Sequence, residues 1–373
     1  MVNAISFFAG AGGLDMGMHS AGFNIKLSVE IEKVFCDTLK NNHPHWNTFQ
    51  GDIMKLDSED IYRLSGIPED DEIDLFLGGS PCQSFSTAGK RQAFDSPGGQ
   101  AMLRYAELIS EIQPKAFLLE NVRGLLSASL KHRPIDKRGG DYPPLLQEEE
   151  RGSALTHILE KFSGYNINYK LLNAANYGVP QTRERVFIVG IREDLETEFE
   201  FPLETHSQDG KDGTNKWVTI REVLDNMKVK NHNFQSYSAE RLKYMKMIPI
   251  GGGNWRDLRA YGEDVVKQAM GGAFKSGGGK VGFYRRLNIN KPSPTLVTSP
   301  AQKSTNLGHP YEDRPLSIEE YKAIQGFPED YSLAGSLLNQ YKQVGNAVPV
   351  LLAEVLGREI LNTIKKVDQY VKA

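Results

Sequence analysis

Asn3-Ala4-Ile5-Ser6-Phe7-Phe8-Ala9-Gly10-Ala11-Gly12-Gly13-Leu14-Asp15-Met16-Gly17-Met18-His19 is the stretch that decides how this 373-residue chain folds. Its first six residues read as a short buried strand, a glycine turn follows, and then a helical pattern begins. Strand, glycine turn and helix together make an entry for a nucleotide-like cofactor. Glycines let a ligand approach the backbone, and the helix start offers free N–H groups. The spacing is not the dinucleotide fingerprint, because Asp15 stands where its third glycine would fall. That disfavours a nicotinamide-dependent oxidoreductase.

Outward from this stretch the same alternation repeats. Residues 25–30 read as a second strand ending in Glu30, where an acid typically accepts hydrogen bonds from ribose hydroxyls. Lys33 to Asn42 reads as a helix, and Gly51-Asp52-Ile53 follows a short strand with another carboxylate. Asp74-Leu75-Phe76-Leu77-Gly78-Gly79-Ser80-Pro81-Cys82 is an apolar run bounded by glycine and proline, hence a buried strand entering a loop. Chemistry in an open α/β sheet lies beyond the carboxyl ends of its strands. Cys82 is therefore placed where a nucleophile is useful, whereas Cys36 reads as a small buried hydrophobe. Residues 87–99 have no periodicity and suit a mobile loop that closes over a ligand. A helix from Ala101 to Ile112 and a strand over 115–120 follow, the strand ending in Glu120-Asn121-Val122-Arg123-Gly124.

Residues 131–152 read as a polar surface insertion, followed by a helix over 155–162 and strands over 166–172 and 186–190. The expected fold is α/β, a Rossmann-like, mostly parallel sheet with helices on both faces. From about Glu193 to Asn339 the chain is irregular, rich in glycine pairs and scattered aromatics. The expected division is a first domain of residues 1–194 and 340–373 and a smaller one of 195–339. Gln343-Val344-Gly345-Asn346-Ala347-Val348-Pro349 opens a long helix from Val350 that packs back on the first domain.

The net charge is −3, yet residues 211–290 hold 15 Lys and Arg against 7 Asp and Glu. That local +8 on an otherwise acidic chain suits phosphate binding without an alkaline pI. No run has the apolar length of a membrane helix, and Met1–Ser6 lacks the layout of a signal peptide. Two cysteines build neither a disulfide framework nor a four-cysteine metal site, so a reducing cytoplasm and no metal are expected.

The motifs, taken in order, resemble those of the DNA cytosine-C5 methyltransferases over almost the whole chain. They are Phe8-Ala9-Gly10-Ala11-Gly12-Gly13, Glu30, Gly51-Asp52-Ile53, Ser80-Pro81-Cys82-Gln83, Glu120-Asn121-Val122, Gln181-Thr182-Arg183-Glu184-Arg185, Gln325-Gly326-Phe327-Pro328 and Gly345-Asn346-Ala347-Val348-Pro349. The resemblance implies the class I S-adenosylmethionine-dependent fold with a small target-recognition domain. It implies Cys82 as the thiolate that adds to cytosine C6, and Glu120 as proton donor at N3. Asn121 would orient the ring, and Arg185 with Arg183 would bind O2. Phe8, Gly10, Ala11, Gly12, Gly13, Glu30, Ile31, Asp52, Ile53, Pro81, Asn346 and Ala347 would hold S-adenosyl-L-methionine, leaving S-adenosyl-L-homocysteine as product.

By the same resemblance the target base in double-stranded DNA is flipped out of the duplex. Gln83, Ser84, Ser86 and Lys90 would meet the DNA from the closing loop, and Lys243, Lys246, Arg256 and Arg259 from the basic segment. The expected setting is a bacterial, nucleoid-associated monomer, the modification half of a restriction–modification system. A cognate restriction endonuclease would act on the same site without a stable complex. The tRNA-methylating branch of the family carries a Cys-Phe-Thr element in its recognition region, which this chain lacks. A catalytically silent DNA-binding homologue is disfavoured by the presence of Cys82, Glu120 and Arg185. Two departures from the family pattern stand out. Asp95-Ser96-Pro97-Gly98-Gly99 lacks the arginine of Asp-x-Arg-Gly, and Glu319 stands where Leu-Thr-x-Arg-Glu has a base.

Overall fold

The computed structural model describes residues 2–81, 85, 93–140, 142–229, 231–277 and 279–370, the last four by backbone alone. The chain forms two compact units. The first comprises Met1–Asn173, Glu184–Leu203 and Leu352–Ala373; the second comprises Ala174–Arg183 and Glu204–Leu351. The sequence reading divided the chain after 194 and before 340, so these edges lie further along, and Ala174–Arg183 groups with the second unit. No helix of the described residues is long and apolar enough to cross a membrane.

The first unit is built on strands β1 (Val2–Phe7), β2 (Phe23–Glu30), β3 (Asn47–Gln50), β4 (Leu75–Gly79), β5 (Ala116–Val122), β6 (Tyr165–Asn173) and β8 (Glu184–Arg192); β7 (Gln181–Thr182) belongs to the second. The seven strands lie in the order β3-β2-β1-β4-β5-β8-β6. Pairing is parallel from β3 through β5, and β8 runs antiparallel to both β5 and β6. The central strands are apolar nearly throughout, as strands covered on both faces must be. Ile5, Leu27, Phe76, Leu77, Phe117 and Leu118 are fully buried. Helices α1 (Gly13–Ala21), α2 (Lys33–Asn42), α3 (Ser58–Ser65), α4 (Pro97–Ile112) and α5 (Ser153–Leu159) connect the strands.

One boundary shows local chemistry overriding an apparent breaker. Ser96-Pro97-Gly98-Gly99 reads as the end of a loop, yet α4 begins at Pro97. The Ser96 hydroxyl accepts the Gly99 N–H at 3.1 Å, and proline fits the first helical position because no N–H is needed there. A side chain at 99 would lie 2.3 Å from the Ala93 carbonyl oxygen, so the glycine is required by close approach.

The second unit has little regular structure: helices α6 (Ile220–Asn226), α7 (Ala239–Met245), α8 (Glu263–Met270), α9 (Ile318–Gln325) and α10 (Leu337–Asn346), with two-residue strands β9 (His206–Ser207), β10 (Asn215–Lys216) and β11 (Ser293–Pro294). Buried arginines tie its carbonyls together instead. Arg286 donates to the carbonyls of Ile248, Met245 and Glu312 at 2.6–3.1 Å. Arg314 pairs with the buried Glu320 at 2.7 Å. Glu320 also closes a capping box with Ser317 at the start of α9. Glu319 accepts the Asn233 N–H at 2.9 Å, so the acid that replaces the family's base is bonded within its own unit. Gln343-Val344-Gly345-Asn346 ends α10, whereas the sequence suggested that it opens the last helix. That helix, α11 (Val350–Tyr370), returns to the first unit, where Gly357 packs closely on Met18 and Ala21 of α1.

Candidate active site

Because β1 to β5 are parallel, their carboxyl ends share one edge of the sheet, and the order reverses between β1 and β4. Such a switch point is where open α/β sheets bind ligands. At the end of β1 the chain turns through Phe8 (φ 57°), Gly10 (φ 58°) and Gly12 (φ 81°), all left-handed. Glycine adopts this freely, whereas at Phe8 it costs about 1–2 kcal/mol. The Gly10 N–H donates to Glu30 Oε2 at 2.8 Å and the Glu32 N–H to Oε1 at 2.9 Å. Glu30 is buried, and burial raises its carboxyl above the ordinary range although both N–H groups favour the ionised form. Each carboxylate oxygen keeps a second lone pair. Ile31 beside it is 62 % exposed, an apolar surface left largely open by the described residues. Asp52 caps the turn after β3, accepting the Met54 N–H at 3.0 Å, and Ile53 is buried behind it.

At β4 and β5 the polar groups face one another. Glu120 Oε1 and Arg185 Nε lie 2.9 Å apart, both largely buried. Their strands are in antiparallel register, with Val122 opposite Arg185. A side chain at Gly79 would come within 3.1 Å of Glu120 Oε2, so the glycine leaves room for that carboxylate. Asn121 is fully buried and both ends of its amide are engaged. It donates to Ser80 Oγ at 2.8 Å and accepts the Val122 N–H at 2.8 Å. Ser80 in turn donates to Met102 Sδ at 3.2 Å. Asn121 thus holds the Ser80-Pro81 step that leads into Cys82. Cys82, Gln83, Ser84, Ser86 and Lys90 lie outside the described residues.

Arg183 does not share the arrangement of Arg185. It sits between β7 and β8, where the chain has left the main sheet, and it is 1 % exposed. Its guanidinium donates to the carbonyls of Gly345 at 3.0 Å and Asn346 at 3.1 Å. The next carbonyl, Ala347, accepts from Gln325, whose own side-chain oxygen accepts from Gln181. The turn Gly345-Asn346-Ala347 is therefore fixed carbonyl by carbonyl within the second unit. Gln181 and Gln325, quoted in the sequence motifs without a role, supply part of that scaffold. Asn346 has an exposed side chain and Ala347 is half-buried.

Lys243, Lys246, Arg256 and Arg259 are exposed on the second unit. Arg256 and Arg259 lie 5.5 and 5.3 Å from the Trp255 ring centroid, with Lys280 at 6.0 Å. Lys243 lies 5.5 Å from that of Tyr244. Among the described residues none of the four exposed cations forms an ion pair. Trp255 and Lys280 were not singled out from sequence; an aromatic beside two arginines was the available signal.

A seven-stranded sheet with β8 antiparallel, a glycine turn after β1 and an acid after β2 defines the class I methyltransferases, which use S-adenosylmethionine. Within that class the chain belongs to the C-5 cytosine-specific DNA methylases, whose family model matches residues 2–362. It is 38 % identical to the type II methyltransferase M.Sau96I of Staphylococcus aureus, over 98 % of this chain and 76 % of the relative. With M.Eco47II of Escherichia coli it shares 35 % identity over 98 % of this chain and 80 % of that one. Among solved structures, the Dnmt2 methyltransferase of S. pombe superposes with a TM-score of 0.60 at 14 % identity, covering 97 % and 98 % of the two chains, a likeness of fold.

Proposed function

We propose that this chain is the modification methyltransferase of a type II restriction–modification system, methylating C5 of a flipped-out cytosine within one duplex sequence. The observation that carries the reading is the buried Glu120–Arg185 pair at the sheet edge, beside the Ser80-Pro81 step that precedes Cys82. The near full-length identity to type II methyltransferases supports the biological setting.

Cytosine C5 is a poor nucleophile, and addition at C6 makes it reactive. In this reading the Cys82 thiolate forms the C6–S bond while Glu120 supplies a proton to N3, so charge does not build on the ring. Arg185 offsets charge at O2 and keeps Glu120 in place. Asn121 acts as a positioning residue that holds the Ser80-Pro81 step, through its bond to the Ser80 hydroxyl. After methyl transfer the C5 proton passes to solvent, the C6–S bond breaks and N3 returns its proton to Glu120, restoring the aromatic ring, the free thiolate and the acid.

The residues around the β1 turn fit S-adenosylmethionine. Gly10 and Gly12 present backbone without Cβ atoms, Glu30 retains acceptor capacity, and exposed Ile31 and half-buried Phe8 offer apolar faces. The bound cofactor supplies an electrophilic methyl group. Asn346 and Ala347 are proposed to complete its binding, and Arg183 and Gln325 to hold their turn. Lys243, Lys246, Arg256 and Arg259 are proposed to meet DNA phosphates.

Bisulfite sequencing of a plasmid recovered from expressing cells tests the reading. Protected cytosines in a single recurring context are expected. A plasmid with no protected cytosine would overturn it.

A further inference from the structure

Asp15 is fully buried and has no part in the mechanism above. It lies in the first turn of α1, just past the glycine turn. Its Oδ1 accepts the Ser6 hydroxyl at 2.7 Å and its Oδ2 the Ser28 hydroxyl at 2.8 Å. Ser6 belongs to β1 and precedes the turn; Ser28 belongs to β2, two residues before Glu30. One carboxylate therefore joins three elements, and its bond to Ser6 closes the base of the loop that carries Phe8 to Gly13. Above that base, the Ala9 N–H donates to the Val29 carbonyl at 3.2 Å and the Gly10 N–H to Glu30.

Such a loop needs a device of this kind. Five of the six residues from Phe8 to Gly13 are Gly or Ala, with almost no side chain to fix their own conformation, three of the six are left-handed, and glycine is the most entropically costly residue to order. A carboxylate buried without a cationic partner is unfavourable in itself. Burial raises Asp15 to about 6, the two serine hydroxyls working in the opposite direction, and Glu30 on β2 adds to the rise as a like charge.

We infer that Asp15 is a positioning residue that staples the glycine turn to β1 and β2 in the cofactor-binding conformation, so that its charge controls affinity for S-adenosylmethionine. The role rests on the proposed cofactor reading. When the loop is unstapled, only part of the population is competent to bind, and apparent affinity falls by that fraction. In the unstapled loop Asp15 stays enclosed between α1 and the sheet, so losing the serine bonds raises its carboxyl further, and protonation therefore favours the unstapled form.

Calorimetric titration of the full chain with S-adenosyl-L-homocysteine between pH 5 and 8 tests this. The unsubstituted chain should lose affinity as pH falls through about 6. Asp15→Asn should bind on the order of tenfold more weakly at pH 8 and show no step near 6. In turnover it should raise KM for S-adenosylmethionine while kcat at saturating cofactor stays within twofold. Ser28→Ala removes one bond to the ionised form and should move the step to higher pH. If Asp15→Asn does not fold, the Ser28→Ala midpoint decides, and an unmoved midpoint overturns the inference. Equal affinity with and without Asp15 overturns the staple alone. A chain that binds no S-adenosyl-L-homocysteine overturns the cofactor reading itself.

Discussion

Asn121 and Asp15 are polar side chains fully enclosed at the sheet edge, and each makes a different demand. Replacing Asn121 by Ala strips the Ser80 hydroxyl of its donor and leaves a small void. A loss of about 1–3 kcal/mol in stability is expected. It should be accompanied by a lower kcat with cofactor affinity kept, read by single-turnover methylation and by calorimetry. Cys82→Ser should abolish methyl transfer while cofactor and DNA binding persist; substantial residual transfer in that variant would sink the covalent route. Asp15 makes its mark on stability as well. Its carboxyl is raised from 3.8 to about 6, so the native chain binds that proton more tightly than the unfolded chain. Its contribution therefore falls as pH rises from about 4 to about 6. Thermal melts of Asp15→Asn should gain on the unsubstituted chain across that window, by on the order of 3 kcal/mol at most. A constant difference between the two would contradict it.

Elements were legible where pattern and length agreed. The strands β1, β2, β4, β5 and β8, the helix α2 and the final helix could each be read from apolar runs or helical spacing. Their order made a mostly parallel sheet the natural outcome. What could not be read was decided by partners distant in sequence. Pro97-Gly98-Gly99 looks like a break, and becomes a helix start because Ser96 caps it and Ala93 packs against Gly99. Arg183 looks equivalent to Arg185, two positions on, until the Gly345 and Asn346 carbonyls are found around it. Gly345 shows the same dependence. A Cβ there would lie 2.6 Å from the Val297 carbonyl oxygen, a contact that only backbone movement relieves. Gly345→Ala should therefore destabilise the second unit by about 1–3 kcal/mol. Limited proteolysis would report it as earlier cleavage within residues 204–351, and unchanged cleavage would count against the packing argument.

At the scale of the molecule, charge is divided more sharply than the net of −3 suggests. Arg256 and Arg259 lie against Trp255 and Lys243 against Tyr244, and with the exposed Lys246 they have no carboxylate partners among the described residues. Like charges so placed repel, and a polyanion relieves that repulsion. Each phosphate contact contributes about 0.9 to the slope of log affinity against log salt. Neutralising all four should lower that slope by up to about 3–4 while leaving the methylated sequence context unchanged. An unchanged slope would mean that this face does not meet the DNA backbone. The identity of the target sequence was not legible, because base readout depends on where side chains stand in a groove rather than on their order in the chain.

The first unit is assembled from three separate chain segments, with all of Glu204–Leu351 synthesised between the second and the third. At 5–20 residues per second, a ribosome takes roughly 7–30 s to cross that interval. Through that delay α1 lacks the helix that packs Gly357 against Met18, and the proposed cofactor-binding edge is left on an unfinished core. A nascent chain should therefore resist protease only after Leu352–Ala373 has emerged from the exit tunnel, so the first unit is completed well after its sheet has been made.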